Sequence, residues 1–125
     1  MTRDFLEATC VECPRGCRLS VRRAGGEVSV SGAACPRGEA WGRRELLSPA
    51  RVLTGTVRTT SSDMPRLPVR TREAIPLDKL MEAARALSSV IASGPLVPGD
   101  PVVEDFAGLG VDLLATACLP PDSLP

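Results

Sequence analysis

The alternation of apolar and polar residues is clearest near the start of the chain. The stretches RLSVRR (18–23) and EVSVS (27–31) each alternate on either side of a short AGG turn. This pattern is typical of a β-hairpin with one buried face. The side chains predicted to share that face are Leu19, Val21, Val28 and Val30.

A different period runs through the segment IPLDKLMEAARALSSVIAS (75–93). Its apolar residues recur every three or four positions, which predicts one long amphipathic helix. Pro76 suits the first helical turn, and Gly94 follows the last residue as a helix terminator. The apolar positions are Leu77, Leu80, Met81, Ala84, Leu87 and Ile91, and the predicted outer face carries Asp78, Lys79, Glu82 and Arg85.

Shorter patterns complete the predicted fold. PRGEAWGRRELL (36–47) begins with a proline and reads as a short helix, although Gly38 and Gly42 lower its helix propensity. Short strands are predicted at RVLTGTVRT (51–59), LPVRT (67–71), VVEDF (102–106) and VDLLATACL (111–119). The sequence therefore predicts a small single α+β domain with a cysteine-rich β-hairpin lobe at its N-terminus. We expect the lobe at 1–47, the α+β remainder at 48–119 and a tail at 120–125.

Composition narrows the possible functions. Aromatic residues make up 2% of the 125 residues, so Leu, Val and Ala must fill the core, and a bound metal would help to stabilise it. Fifteen basic residues balance fifteen acidic ones, which argues against nucleic-acid binding. The chain has no histidine, which excludes Cys2His2 zinc fingers, Rieske centres and histidine-based catalysis.

Hydropathy predicts neither a membrane span nor a secretion signal. No stretch approaches the roughly 18 apolar residues of a transmembrane helix, and the first residues include Arg3, Asp4 and Glu7. The prediction is a cytoplasmic protein. In that compartment clustered cysteines indicate a metal or redox site rather than disulfides.

Four of the five cysteines lie within the first 35 residues. Three follow the spacing C-x2-C-x3-C, and the fourth comes after a gap that holds the predicted hairpin. Four thiolates suit either zinc or an iron–sulfur cluster, because both prefer soft sulfur ligands. The candidate ligands are Cys10, Cys13, Cys17 and Cys35.

The spacing favours the cluster. Structural zinc sites usually combine two separated C-x2-C pairs, whereas here three ligands share one loop and one lies apart, as in 4Fe–4S proteins. The tripeptide Pro-Arg-Gly follows both Cys13 and Cys35. Its proline would stiffen the chain just after a ligand, and its glycine would let the backbone pass close to a bulky cofactor. A zinc-stabilised interaction module without redox activity remains the alternative.

Two resemblances add to this interpretation. The segment CVECPRGCRLSVRRAGGEVSVSGAACPRG resembles the N-terminal 4Fe–4S motif of molybdopterin oxidoreductases such as formate dehydrogenase. The whole chain is similar to a small bacterial and archaeal family of C-x-x-C proteins catalogued as a domain of unknown function. The similarity lies in the four cysteines and in CPRGEAWGRREL, PARVLTGTVR, LPVRT and GVDLLAT.

The second resemblance implies a role beside other enzymes. Such proteins resemble small subunits that accompany FAD-dependent dehydrogenases of the anaerobic glycerol-3-phosphate type and pyridine-nucleotide oxidoreductases. The resemblance implies an iron–sulfur electron-transfer or accessory subunit that is not catalytic alone. Arg15, Arg37 and Trp41 are predicted to flank the cluster, and Cys118 is predicted to be a small core residue.

Overall fold

The computed structural model of the chain describes residues 3–122. The chain divides into an N-terminal unit, Met1–Pro49, and a C-terminal unit, Ala50–Pro125. Helices and β-strands occur in both units, so the predicted α+β class is confirmed.

A three-stranded antiparallel sheet forms the N-terminal unit together with one helix. Its strands lie in the order β1-β2-β3, and their bounds are β1 Phe5–Thr9, β2 Arg18–Ala24 and β3 Glu27–Ser31. The predicted hairpin is confirmed as β2 and β3. It turns at Gly25 and Gly26, which both have positive φ, as the tight hairpin turns require. Strand β1, which pairs with β2, was not predicted from the sequence.

The predicted short helix is confirmed as α1, Pro36–Leu47, and it packs against this sheet. The two glycines that lower its helix propensity are buried. A Cβ atom added at Gly42 would lie 3.2 Å from Val21 and 3.3 Å from both Leu19 and Val30. Gly42 therefore allows the helix to approach the hairpin closely, and this packing outweighs the lower propensity.

Two sheets make up the β-structure of the C-terminal unit. The larger has five strands in the order β8-β5-β6-β10-β9, and the smaller pairs β4 with β7. The bounds are β4 Ala50–Arg51, β5 Thr54–Thr59, β6 Arg66–Thr71, β7 Ile75–Pro76, β8 Ile91–Ala92, β9 Pro101–Val103 and β10 Leu113–Ala115. Strand β9 ends before the predicted strand at 102–106 does, because Phe106 begins a 3-10 turn, Phe106–Gly108. Strand β10 is also shorter than the predicted strand at 111–119.

The long helix predicted over 75–93 was wrong in its extent. Helix α2 spans Leu80–Ala86, with 3-10 turns at Leu77–Lys79 and Leu87–Ser89. Both ends of the predicted helix are strands instead, because Ile75–Pro76 pairs with β4 and Ile91–Ala92 pairs with β5.

The shorter helix also changes which side chains are buried. Three predicted inner-face residues are exposed: Leu77 at 40%, Met81 at 64% and Ile91 at 61%. Leu87 of that face is buried as predicted, and Ala83, which the pattern did not place there, is buried as well, since the 3-10 turns shift the helical phase that the pattern assumed.

Thirteen buried residues form the core of the C-terminal unit within the described chain, and they come from both of its sheets, from α2 and from the adjoining turns and loops. The largest fully buried side chains of this core include Phe106, Leu67, Ile75, Leu113 and Leu119. Of the predicted tail, Asp122 accepts a hydrogen bond from the Thr60 hydroxyl, and 123–125 lie outside the described residues. Of the helices between residues 3 and 122, none reaches the length and hydropathy needed to cross a bilayer.

Candidate metal centre

The loop between β1 and β2 carries the first three cysteines. Thr9 and Arg18 form the last pair of the two strands, so Cys10 and Cys17 face each other at the next position. The Cys10 N–H donates to the Cys17 carbonyl oxygen at 2.8 Å and closes the loop. Cys13 then lies within the loop itself. The C-x2-C-x3-C spacing therefore follows directly from a hairpin that carries a thiol on each arm and one between them.

Cys35 reaches the same region from the chain segment that connects β3 to α1. It immediately precedes helix α1 as the N-cap residue. The connection from β3 passes through Gly32, which has a φ of 92°. A Cβ atom there would lie 2.1 Å from the carbonyl oxygen of Arg18, so only glycine lets the backbone run this close to the residue after Cys17.

A cavity of about 180 Å³ lies between the loop and the start of α1. All four candidate cysteines line it, and all are free thiols. Its lining residues are Cys10, Glu12, Cys13, Arg15, Cys17, Ala34, Cys35, Arg37 and Gly38. The structure thus brings together the four cysteines that the sequence spacing singled out, with the two predicted flanking arginines beside them.

The four thiols surround a space and do not converge on a point. Among residues 3–122, no three side chains of His, Cys, Asp or Glu lie close enough together to hold a metal ion. A single zinc ion requires four ligands at about 2.0–2.3 Å from one centre. The cavity is far larger than the roughly 10–15 Å³ that one water molecule needs. Its four sulfur donors are ligands of the kind that either zinc or an iron–sulfur cluster takes.

The start of α1 affects the charge state of Cys35. The backbone N–H of Gly38, followed by the N–H and guanidinium of Arg37, holds the pKa of the Cys35 thiol below its ordinary value, although partial burial opposes this. A lower pKa favours the thiolate, which is the form that binds metal.

Charged and aromatic side chains complete the surroundings. Glu12 forms an ion pair with Arg44 at 3.3 Å, and this pair links the loop to α1. Glu12 was not identified from the sequence, although its place between two cysteines was a usable signal. Trp41 is half-buried and packs against the small core around Cys10. Trp41 is therefore a packing residue of the cysteine-rich lobe.

Cys118 does not line this cavity. It is exposed, so the prediction that it is a core residue was wrong. Its neighbours Ala115 and Leu119 are buried, but Cys118 follows the end of β10 and precedes the isolated bridge between Leu119 and Leu96. Exposure alternates from Ala115 to Leu119, and Cys118 takes one of the outward positions.

One family model and one solved structure are similar to this chain. The family model described as "Protein of unknown function (DUF1667)" matches residues 36–117. The NMR structure of Clostridium perfringens protein CPE0013 has a TM-score of 0.53 and 27% sequence identity, covering 61% of this chain and 91% of its own. No curated protein matches the chain. The family match begins after Cys35 and ends before Cys118, so it contains none of the five cysteines.

Proposed function

The chain belongs to the DUF1667 family of proteins of unknown function, and we propose that it is an iron–sulfur electron-transfer or accessory subunit of a flavin-dependent dehydrogenase. Cys10, Cys13, Cys17 and Cys35 would hold a 4Fe–4S cluster. When bound, the cluster supplies a site that accepts and releases single electrons.

The observation that carries this proposal is the shared cavity of the four thiols. Three come from one closed loop and the fourth from the start of a helix, which is the three-plus-one arrangement typical of such clusters. A packed core does not account for four free thiols around one space, because Cys10 is the one buried thiol among them and the two arginines beside them are exposed.

Other side chains would adjust the site. The guanidinium groups of Arg15 and Arg37 offset the negative charge that four thiolates bring together. The backbone N–H groups of Arg37 and Gly38 lie at the Cys35 thiol and are suited to donate to sulfur, which raises the reduction potential of such centres. Trp41 limits the access of water from the side of α1.

The proposed partner follows from the family resemblance and from the chemistry. A protein that only carries electrons needs one neighbour to donate them and another to accept them. We infer a FAD-dependent dehydrogenase resembling the glycerol-3-phosphate type, or a pyridine-nucleotide oxidoreductase, working in the cytoplasm.

The first test is the composition of the purified protein. Purified without oxygen, the protein should be brown, should absorb broadly near about 400 nm, and should contain iron and acid-labile sulfide. A colourless protein with one zinc per chain and no sulfide would replace the proposal with the zinc-stabilised interaction module.

The second test concerns the partner and uses charge reversal beside the cavity. Arg15→Glu and Arg37→Glu should slow reduction of the protein by a flavin dehydrogenase about tenfold and weaken the salt dependence of that rate, as in steered association. Arg3→Glu is the control, because Arg3 is exposed and does not line the cavity. Iron content is measured in each variant. Unchanged reduction rates in variants that retain full iron would refute docking through this region.

A further inference from the structure

Three arginines of the C-terminal unit lie on one face of its five-stranded sheet. Strands β5 and β6 pair with Thr54 opposite Arg70 and with Arg58 opposite Arg66. Because side chains alternate between the two faces of a sheet, these residues share a face, and the buried Val57, Leu67 and Val69 point to the other. Arg58, Arg66 and Arg70, all exposed, are here called the arginine face.

No carboxylate neutralises the arginine face among residues 3–122. Within the C-terminal unit, ion pairs join Arg72 to Asp112 at 3.5 Å and Lys79 to Glu82 at 3.9 Å. None of the ion pairs found in the described chain includes a member of the arginine face. The unit has enough acid to pair them, because its acidic residues outnumber its basic ones. The clustering is therefore local and does not reflect a basic composition.

The arrangement is unfavourable for the fold alone. Like charges directly opposite each other on neighbouring strands are destabilising, and Arg58 stands opposite Arg66. Each is nevertheless held in place. Arg58 Nη2 donates to the Ser88 carbonyl oxygen at 2.8 Å, and Arg66 Nε donates to Thr56 Oγ1 at 3.2 Å. A guanidinium has five N–H donors, so most donors of both side chains remain available to a ligand.

We propose that the arginine face docks an acidic surface of a partner protein. Guanidinium groups bind carboxylates in pairs of parallel hydrogen bonds, and arginine is enriched at the energetic centres of protein interfaces. Arg66 and Arg70 are four residues apart on β6, which separates them by about 13 Å. That span suits several acidic side chains of a protein surface better than one small anion.

An exposed apolar residue extends the same face. Ile91 pairs with Arg58 across β8 and β5 and is 61% exposed. A surface that combines arginines with an apolar side chain is typical of protein interfaces. Nucleic acid fits less well, because the chain has no net positive charge and few aromatic residues for stacking on bases. The proposal does not depend on the metal centre, since all of these residues belong to the C-terminal unit.

The test measures binding of a fluorescent polyglutamate peptide at low salt. The variant Arg58→Gln/Arg66→Gln/Arg70→Gln should bind at least about tenfold more weakly than the natural protein, because three charge-assisted contacts are lost. The matched control is Arg72→Gln/Lys79→Gln/Arg85→Gln, which removes the same charge from the same unit outside the face. It should bind nearly as well as the natural protein.

A second measurement keeps the test valid if either variant folds poorly. On addition of the peptide to the natural protein, the NMR signals of the arginine Nε–H groups and of the β5 and β6 backbone should shift first. Equal weakening in both triple variants, shifts located elsewhere, or no binding at low salt would overturn the proposal. Tighter binding of a random DNA duplex than of the peptide would also overturn it, and would assign the face to nucleic acid.

Discussion

The two units of the protein differ in what fills their interiors. Among the described residues, the C-terminal unit buries thirteen residues in one core. The hydrophobic core of the N-terminal unit has four buried residues, which are Cys10, Leu19, Val21 and Leu46, and one of these is a candidate ligand. The C-terminal unit can be held together by apolar packing. The N-terminal unit has a smaller core and brings four thiols and two arginines to one cavity.

This difference indicates where stability and chemistry reside. Domains of fewer than about 50 residues rarely bury enough surface to be stable without a metal, a disulfide or a partner. The cysteines of the N-terminal unit form no disulfide. We therefore expect its fold to depend on the group that the thiols bind, whereas the fold of the C-terminal unit should not. The family match includes most of the C-terminal unit together with α1 of the N-terminal unit, and it contains no cysteine.

The largest expected effect comes from removing the distant ligand. Cys35→Ser should release the bound group and destabilise the N-terminal unit by about 4–5 kcal/mol or more, as loss of a structural metal does. Hydrogen exchange should show fast exchange in β1, β2 and β3 and unchanged protection in β5, β6 and β10.

Cys118→Ser is the matched control. Its thiol is exposed, so iron content and protection in both units should stay as they are. If Cys35→Ser loosens both units equally, the stability of the C-terminal unit depends on the site, and the contrast between them fails. Equal loss of iron in the two variants would show that the ligand set is wrong.

A smaller effect is expected where α1 meets the hairpin. Gly42→Ala adds a methyl group 3.2 Å from Val21 and 3.3 Å from Leu19 and Val30. Overpacking of this kind costs about 1–3 kcal/mol, which exceeds the gain of about 1 kcal/mol in helix propensity. The midpoint of chemical denaturation of the N-terminal unit should therefore fall.

Gly38→Ala provides the comparison within the same helix. Its added Cβ would lie 3.4 Å from Cys10 Sγ and 3.5 Å from Ala33, which is ordinary contact, so the propensity gain should dominate. A lower midpoint for Gly38→Ala than for Gly42→Ala would show that the close approach of helix and hairpin is not the controlling feature.

Elements formed by residues close together in the sequence could be predicted from local patterns. The hairpin was predicted because strand alternation and a two-glycine turn lie within 14 residues, and both confirmed strands follow that alternation. The candidate site could be assembled from spacing alone, because one hairpin and one helix start bring the four cysteines together. The cavity and the flanking arginines agree with that interpretation, while the nature of the bound group stays a prediction.

Features that depend on distant pairing could not be predicted. Ile91 fits an amphipathic helix by spacing, but it joins β5 in parallel, a pairing between residues 33 positions apart (Arg58 with Ile91). Strand β1 alternates as FLEAT, yet its pairing with β2 is visible only once the cysteine loop closes. The arginine face likewise depends on the register of β5 with β6, which brings Arg58 opposite Arg66.

The smallest effect is expected from the pairing of Arg58 with Arg66, which should lower the stability of the C-terminal unit slightly. Arg66→Thr removes the like charge opposite Arg58 and should raise the free energy of unfolding by a few tenths of a kcal/mol, since cross-strand pairs contribute about 0.2–1 kcal/mol. Arg70→Thr is the control, because Arg70 lies opposite the uncharged Thr54. The gain should shrink at high salt, which screens exposed charges. An equal gain in both variants, or one that salt does not reduce, would mean that strand propensity and not charge repulsion accounts for it. The expected difference would show that the C-terminal unit, although stabilised by its core, keeps an unfavourable charge pair on the surface proposed to meet a partner.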